Sequence, residues 1–274
     1  MKFFLLLALL LLPASQEPAT PRTWRILVTN DDGIDSPQLA ALVSALDELG
    51  EVVVSAPARN RSGSSRSTEM FSGPLALARV ELAGADEAWS LDGTPADACA
   101  FGVVQLAGER GFDLVVSGIN AGSNVGEFAY ISGTIGAALE GASHGVPGIA
   151  VSMDQRADLP LSARYAADFA RALLEHGANP EVVYTINIPR AAAAGEHGAS
   201  ATSIGPAPAR ITGFEIAADG TTARARIGVP SSAPSAGSDT AEFGAGRITV
   251  TALRRDWSDP AAAAALAAWM PQPR

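Results

Sequence analysis

Cysteine is almost absent: Cys99 is the only one in 274 residues, so no internal disulfide can form and stability must come from a packed core. It lies in DACAFGVVQL with no His or basic residue beside it, which reads as a buried thiol on a helix and not a nucleophile. Histidine is equally scarce. His144, His176 and His197 have no metal-ligand spacing and read as structural or surface groups. Aromatic residues make up 6% of the chain, with Trp24, Trp89, Trp257 and Trp269 scattered along it, a pattern of packing anchors and not of a base-stacking platform. Positive charge is also short, 19 Lys plus Arg against 29 Asp plus Glu for a net charge of −10. That balance repels phosphate backbones and anionic lipid and disfavours generic binding to nucleic-acid duplexes. It leaves room for a small anionic substrate, because a bound divalent cation reverses the sign of a site locally.

Apolar runs long enough to span a bilayer are missing; at the N-terminus Lys2 precedes an unbroken run from Phe3 to Leu12, followed by Ala14 and Ser15. Ten residues rise only about 15 Å as a helix, half of a hydrocarbon core, so residues 1–15 read as a secretory signal peptide. No Cys follows the run, which excludes a lipid-modified cysteine there. The expected mature protein is exported, periplasmic or secreted, with no membrane attachment after cleavage.

What the sequence does contain, at 47% hydrophobic residues, is enough apolar material for a globular core. After a linker over 16–23, the runs RILVTN, EVVVSAP, FDLVVSGIN and GIAVSM alternate with helix-like stretches, and LSARYAADFARALLEHG and VVYTINIPR add one more unit. Continuous Val/Ile/Leu runs mark strands covered on both faces. The fold class is therefore α/β, a doubly wound, mostly parallel Rossmann-like sheet over 24–190, with ligands expected at the carboxyl ends of its strands. Residues 191–246 turn to Ala, Gly, Ser and Pro, with strand-like ARITGFEIA and TARARIGV around Asp219-Gly220. This reads as a hairpin-like extension and possible oligomer arm, with a floppy linker as the alternative. Residues 247–274 form a last strand and a C-terminal helix capped by Asp259 with Pro260 first.

Strand RILVTN runs directly into Asp31-Asp32-Gly33. Adjacent carboxylates at a strand end either form a turn with a helix cap, or repel one another until a pKa rises or a hard cation such as Mg²⁺ or Mn²⁺ is recruited. Three more strand ends open into short polar segments, APARNRSGSS, SGINAGSNVG and YISGTIG. Each is weak alone; together they point to one anion-plus-metal site. Thr94-Pro95 in LDGTPADAC reads as an N-cap and first helical residue.

The segments ILVTNDDGIDSP, APARNRSGSS, LDGTPADAC, SGINAGSNVG and SGTIGAALEG, in this order and spacing, resemble the SurE survival-protein family of metal-dependent nucleotidases. The resemblance covers residues 25–190, with a weaker echo in GSDTAEFGAGRITVTAL. It implies that Asp31, Asp32, Ser62 and Asn120 ligate one Mg²⁺ or Mn²⁺ per subunit. It also implies that Asn60, Asn124, Ser132, Gly133 and Thr134 surround the phosphoryl group, and that the chain is a homodimer or homotetramer. Asp31 and Asp32 are then the catalytic pair, positioning water for hydrolysis of nucleoside 5′- and 3′-monophosphates. The alternative on the same fold is a non-catalytic nucleotide or phosphosugar binding protein. A haloacid-dehalogenase type of aspartyl-phosphate chemistry suffers from the absence of D-x-D spacing in NDDG.

Overall fold

A computed structural model describes residues 24–194, 198–231, 233–266 and 270–271. The expected signal peptide and linker, 1–23, lie outside the described residues, as do His197 and Trp269. The α/β domain opens with β1 (Trp24–Thr29), α1 (Pro37–Leu46), β2 (Gly50–Pro57), β3 (Leu77–Val80), β4 (Glu87–Leu91) and α2 (Pro95–Gln105). It continues through β5 (Leu114–Ala121), α3 (Gly133–Ser143), β6 (Gly148–Met153), α4 (Leu159–His176) and β7 (Val182–Ile188). Then come β8 (Ala199–Thr202), β9 (Arg210–Ile216), β10 (Ala223–Gly228), α5 (Asp239–Gly244), β11 (Ile248–Arg254) and α6 (Pro260–Leu266).

Nine strands form one sheet in the order β3-β4-β2-β1-β5-β6-β7-β11-β8, parallel except where β3 meets β4 and β11 meets β7. The doubly wound, mostly parallel α/β architecture expected from the unbroken apolar runs is what the chain adopts. Alternate residues of β1 serve opposite layers. Ile26 and Val28 pack with Leu39, Leu42 and Leu46 of α1 and Ala166 and Ala170 of α4, whereas Leu27 packs with Cys99 and Val103 of α2 and Ala137 of α3. The central strands are thus dry on both faces, each buried Leu or Ile contributing roughly 1.5–3 kcal/mol.

Helix starts follow the sequence closely. Thr94 caps α2 in a reciprocal capping box with Asp97, Pro95 occupying the first turn. Asp259 accepts the amides of Ala261 and Ala262 at the start of α6. The hairpin expected at Asp219-Gly220 exists as β9 and β10, an antiparallel pair forming its own two-stranded sheet. Other elements carry no clear sequence signal. β3 and β4 are short and partly exposed. β8, made of Ala-Ser-Ala-Thr, is a strand because β11 offers it an edge to pair with in parallel.

From β1 the chain moves outward through β2 to β4, then crosses back to place β5 on the other side of β1. The connections therefore diverge between β1 and β5. In a doubly wound sheet this leaves a crevice at the carboxyl ends of those two strands.

Candidate active site

Asp31 and Asp32 emerge from the end of β1 into that crevice, and Asn120 lies at the carboxyl end of β5 beside it. The turn after β1 is clamped by Asn30, whose side-chain amide donates to the Gly33 carbonyl at 2.8 Å while its oxygen accepts the Gly33 N–H at 3.2 Å. Gly33 has φ +103°, and a Cβ there would stand 2.9 Å from the Arg59 carbonyl carbon. Only glycine lets the loop after β2 cross so closely. That crossing is fixed by the Arg61 N–H donating to the Asp31 carbonyl at 2.8 Å, and it brings Asn60 against Asp32 and Ser62 into the same cleft. Arg61 also joins Asp92 at 2.9 Å and Glu69 at 3.2 Å, staking the loop from its far side.

Asp31, Asp32, Asn60, Ser62, Asn120, Asn124 and Ser132 line one cleft of about 490 Å³. Asp32 accepts the Asn60 amide at 2.9 Å and the Ala121 N–H at 3.1 Å. The Asn60 oxygen in turn accepts the Ser62 N–H at 3.0 Å. The Asn120 amide donates to the Gly122 carbonyl at 2.6 Å, which turns its oxygen away from that carbonyl. Asn124 donates from its side chain to Ser152 at 2.8 Å and from its backbone to Asn187 at 2.7 Å. Ser132 caps α3, its hydroxyl accepting the Ile135 N–H at 3.2 Å. Thr134 and Gly133 sit behind the cleft wall, buried against Asp31. The Thr134 hydroxyl donates to Asp31 Oδ1 at 2.8 Å, and a Cβ on Gly133 would lie 2.9 Å from Asp31 Cβ.

Asp31 is only 3% exposed. Its burial, reinforced by the Asp32 charge and opposed by hydrogen bonds from Thr134, pushes the carboxyl up to about 6. The described ion pairs give neither Asp31 nor Asp32 a cationic partner. Among the described residues no group of three or more His, Cys, Asp or Glu could hold a metal by itself. Two carboxylates supplemented by neutral oxygens of Ser62 and Asn120 are nevertheless a hard donor set, and an uncompensated buried acid is the environment in which a divalent cation is most favourable. The residues present therefore fit a hard divalent cation.

Sequence patterns did not reveal Asn30, Ser152 or Asn187, which hold the turn and Asn124 in place from the ends of three strands. His144, beside Glu140 at 3.1 Å, and His176, bonded to its own helix, stay away from the cleft. A larger cavity of about 590 Å³ beside α2 is mostly apolar, with Leu75, Leu91, Phe101 and Val104 in its wall. No helix among the described residues is long and apolar enough to cross a membrane.

The survival protein SurE family model matches residues 26–210. A "5'-nucleotidase SurE" of Thermococcus gammatolerans is 42% identical over 174 residues, 60% of this chain and 64% of that protein. A "5'-nucleotidase SurE 1" of Thermus thermophilus is 46% identical over 170 residues, 60% of this chain and 66% of its own. The matched stretch thus spans about two thirds, or slightly less, of these curated relatives. The crystal structure of the SurE protein from Aquifex aeolicus superposes with a TM-score of 0.77 at 31% identity, covering 88% of this chain and 98% of that one. With the family model running from within β1 through β8 and over every residue of the cleft, the chain belongs to the survival protein SurE family.

Proposed function

We propose that this chain is a divalent-metal-dependent phosphomonoesterase that hydrolyses nucleoside 5′- and 3′-monophosphates to nucleoside and phosphate. The observation that carries this is the buried Asp31, given no basic partner by the described ion pairs, beside Asp32 in one cleft with Asn120 and Ser62. The similar proteins are named 5'-nucleotidases, which supports the 5′-monophosphate part of this reading.

In this function Asp31, Asp32, Ser62 and Asn120 hold one Mg²⁺ or Mn²⁺. When bound, the ion supplies Lewis-acid stabilisation of charge on the phosphoryl and leaving oxygens. Asn60 and Asn124 each commit one amide hydrogen to the protein, and the second is directed to the phosphoryl group. The first turn of α3, at Ser132, Gly133 and Thr134, presents the positive end of the helix to developing negative charge. Asp31 and Asp32 position the attacking water, and their fixed geometry, set by Thr134, Asn60 and Ala121, keeps it in line. The chain is exported, as Lys2 and the apolar run to Leu12 indicate, and works as a homodimer or homotetramer. The apolar side chains Phe214, Ile216 and Val229 left exposed on and after the hairpin support association.

Phosphate release from a panel of nucleotides, with and without chelator, tests the activity. Wild-type turnover is expected to vanish with chelator and return with Mg²⁺ or Mn²⁺. Asp31→Asn and Asn120→Ala are each expected to lose at least about 100-fold in kcat/KM with the fold intact, since ligands exceed the 10–100-fold effects of groups behind them. Wild-type turnover by either variant at saturating metal refutes the assignment. A mature protein that retains Met1, or a monomer by light scattering, refutes export or association respectively.

A further inference from the structure

We infer that a second anion-binding subsite, built by Arg156 and Arg190, adjoins the candidate phosphate cleft and takes the second phosphate of a bisphosphorylated nucleoside. The inference rests on the phosphomonoesterase reading for the role of the first cleft, and it assigns that site a substrate class beyond monophosphates.

A polar cavity of about 410 Å³ is lined by Gly122, Ser123, Asp154, Gln155, Arg156 and Arg190. Gln155 also lines the candidate cleft. The segment 120–124 divides the two spaces, with Asn120, Ala121 and Asn124 on the cleft side and Gly122 and Ser123 on the cavity side. The arginines arrive there by topology. β6 and β7 are parallel neighbours with Met153 opposite Ile188, and the Asp154 N–H donates to the Ile188 carbonyl at 2.9 Å. Arg156 and Arg190 follow those paired residues by three and two positions, so both stand at strand carboxyl ends, at the same end of the parallel sheet as Asp31 and Asp32.

The charge balance favours an anion. Both arginines are exposed, and the described ion pairs include neither. Asp154 is the acid in the lining, and its Oδ1 accepts the Arg156 backbone N–H at 2.8 Å, which shapes the turn. The lining therefore carries a formal excess of one positive charge on a chain whose net charge is −10. Two arginines lining one small polar space bring there the forked N–H donors that suit the oxygens of a phosphate dianion. A nucleoside monophosphate with its single phosphate in the first cleft would leave these donors to water.

The test compares adenosine 3′,5′-bisphosphate with adenosine 5′- and 3′-monophosphate at saturating metal, in wild type, Arg156→Gln, Arg190→Gln and the double variant. The expected result is a higher kcat/KM for the bisphosphate in wild type. In the double variant the ratio of bisphosphate to monophosphate kcat/KM falls roughly 10–100-fold, the effect of losing charge-assisted hydrogen bonds. An unchanged ratio overturns the inference, including the case in which all three nucleotides lose activity equally because the arginines touch base or ribose. Should wild type hydrolyse none of them, the phosphomonoesterase reading is what fails. The subsite is then decided by equilibrium binding: bisphosphate at least tenfold tighter than monophosphate, with the difference abolished in the double variant, upholds it, and equal affinities overturn it.

Discussion

Replacing Thr134 by Val removes one hydroxyl and almost no volume, which makes it a sharp probe of how the buried acid is held. Thr134 is fully buried and donates to Asp31 Oδ1 at 2.8 Å. A hydrogen bond to a charged group contributes about 1.5–3 kcal/mol, equivalent to a factor of roughly 10–150 in an equilibrium, and groups behind a metal ligand typically affect metal affinity 10–100-fold. Mn²⁺ affinity measured by calorimetry at pH 7.5 is therefore expected to fall by roughly 10–100-fold, with turnover largely recovered at saturating metal. The direction with pH follows from the Asp31 carboxyl, which burial lifts to about 6 and the Thr134 bond pulls down. Losing that bond moves it higher still, so protons compete with the cation at a higher pH in the variant. In the metal-free protein a raised carboxyl means that the folded state binds the extra proton. Its stabilising contribution is complete below the ordinary carboxylate range and is lost as pH rises through about 6. Metal-free protein should thus melt at lower temperature at pH 7 than at pH 5, more so in the Val variant, and added Mn²⁺ should restore the loss. A Thr134→Val protein with wild-type Mn²⁺ affinity and an unmoved pH midpoint would refute this account of the site.

Two further substitutions separate stability from site geometry. Asp97 is 1% exposed and accepts the Thr94 N–H at 3.0 Å, the Glu69 N–H at 2.9 Å and the Thr68 hydroxyl; Asp97→Ala strands these donors and breaks the α2 cap, and urea unfolding should show a loss of about 3–5 kcal/mol. Burial raises this carboxyl but the hydrogen bonds outweigh it and hold it below its usual value, so wild type should lose this contribution only as pH falls below the ordinary carboxylate range, and the variant should lack that acid limb. Gly133→Ala places a Cβ 2.9 Å from Asp31 Cβ and from the Ser64 hydroxyl. It should lower kcat/KM by about 100-fold through misplacement of Asp31, while unfolding free energy changes by no more than about 1 kcal/mol because helix propensity improves. Unimpaired turnover in the Ala variant would show that Asp31 tolerates displacement.

The parts of the fold that the sequence makes legible are those fixed by short-range chemistry. The apolar runs of β1, β2, β5 and β6 announce a sheet covered on both sides, Thr94-Pro95 and Asp259-Pro260 announce helix starts, and Asp219-Gly220 announces a hairpin. The placement of the candidate site is legible for the same reason, because NDDG, NRSG and SGIN each abut a strand end and the topology does the rest. What stays hidden depends on pairings between distant positions. Asn124 is held by Asn187 across 63 residues and by Ser152 across 28, and neither partner differs locally from an ordinary strand-end polar residue. The inward direction of Thr134 is similarly invisible, since a Thr in the first turn of a helix can face solvent, ligand or core with equal local propensity. β8 has no intrinsic strand pattern and exists through its neighbour.

The Ala/Gly/Pro-rich segment after 190 departs most in texture, yet a buried carboxylate within it bonds directly to the turn that lines the cleft. Asp239 is fully buried at the start of α5, and its two oxygens accept the Gly126 N–H at 2.8 Å and the Gly205 N–H at 2.7 Å. Gly126 begins the 3₁₀ turn Gly126–Ile131, which contributes Phe128 and Ile131 to the cleft wall and leads directly into Ser132 at the cap of α3. A displacement of α5 would therefore pull on the same short segment that aims the α3 terminus. An apolar replacement at Asp239 would leave the Gly126 and Gly205 amides without their acceptor beside the turn that leads into α3.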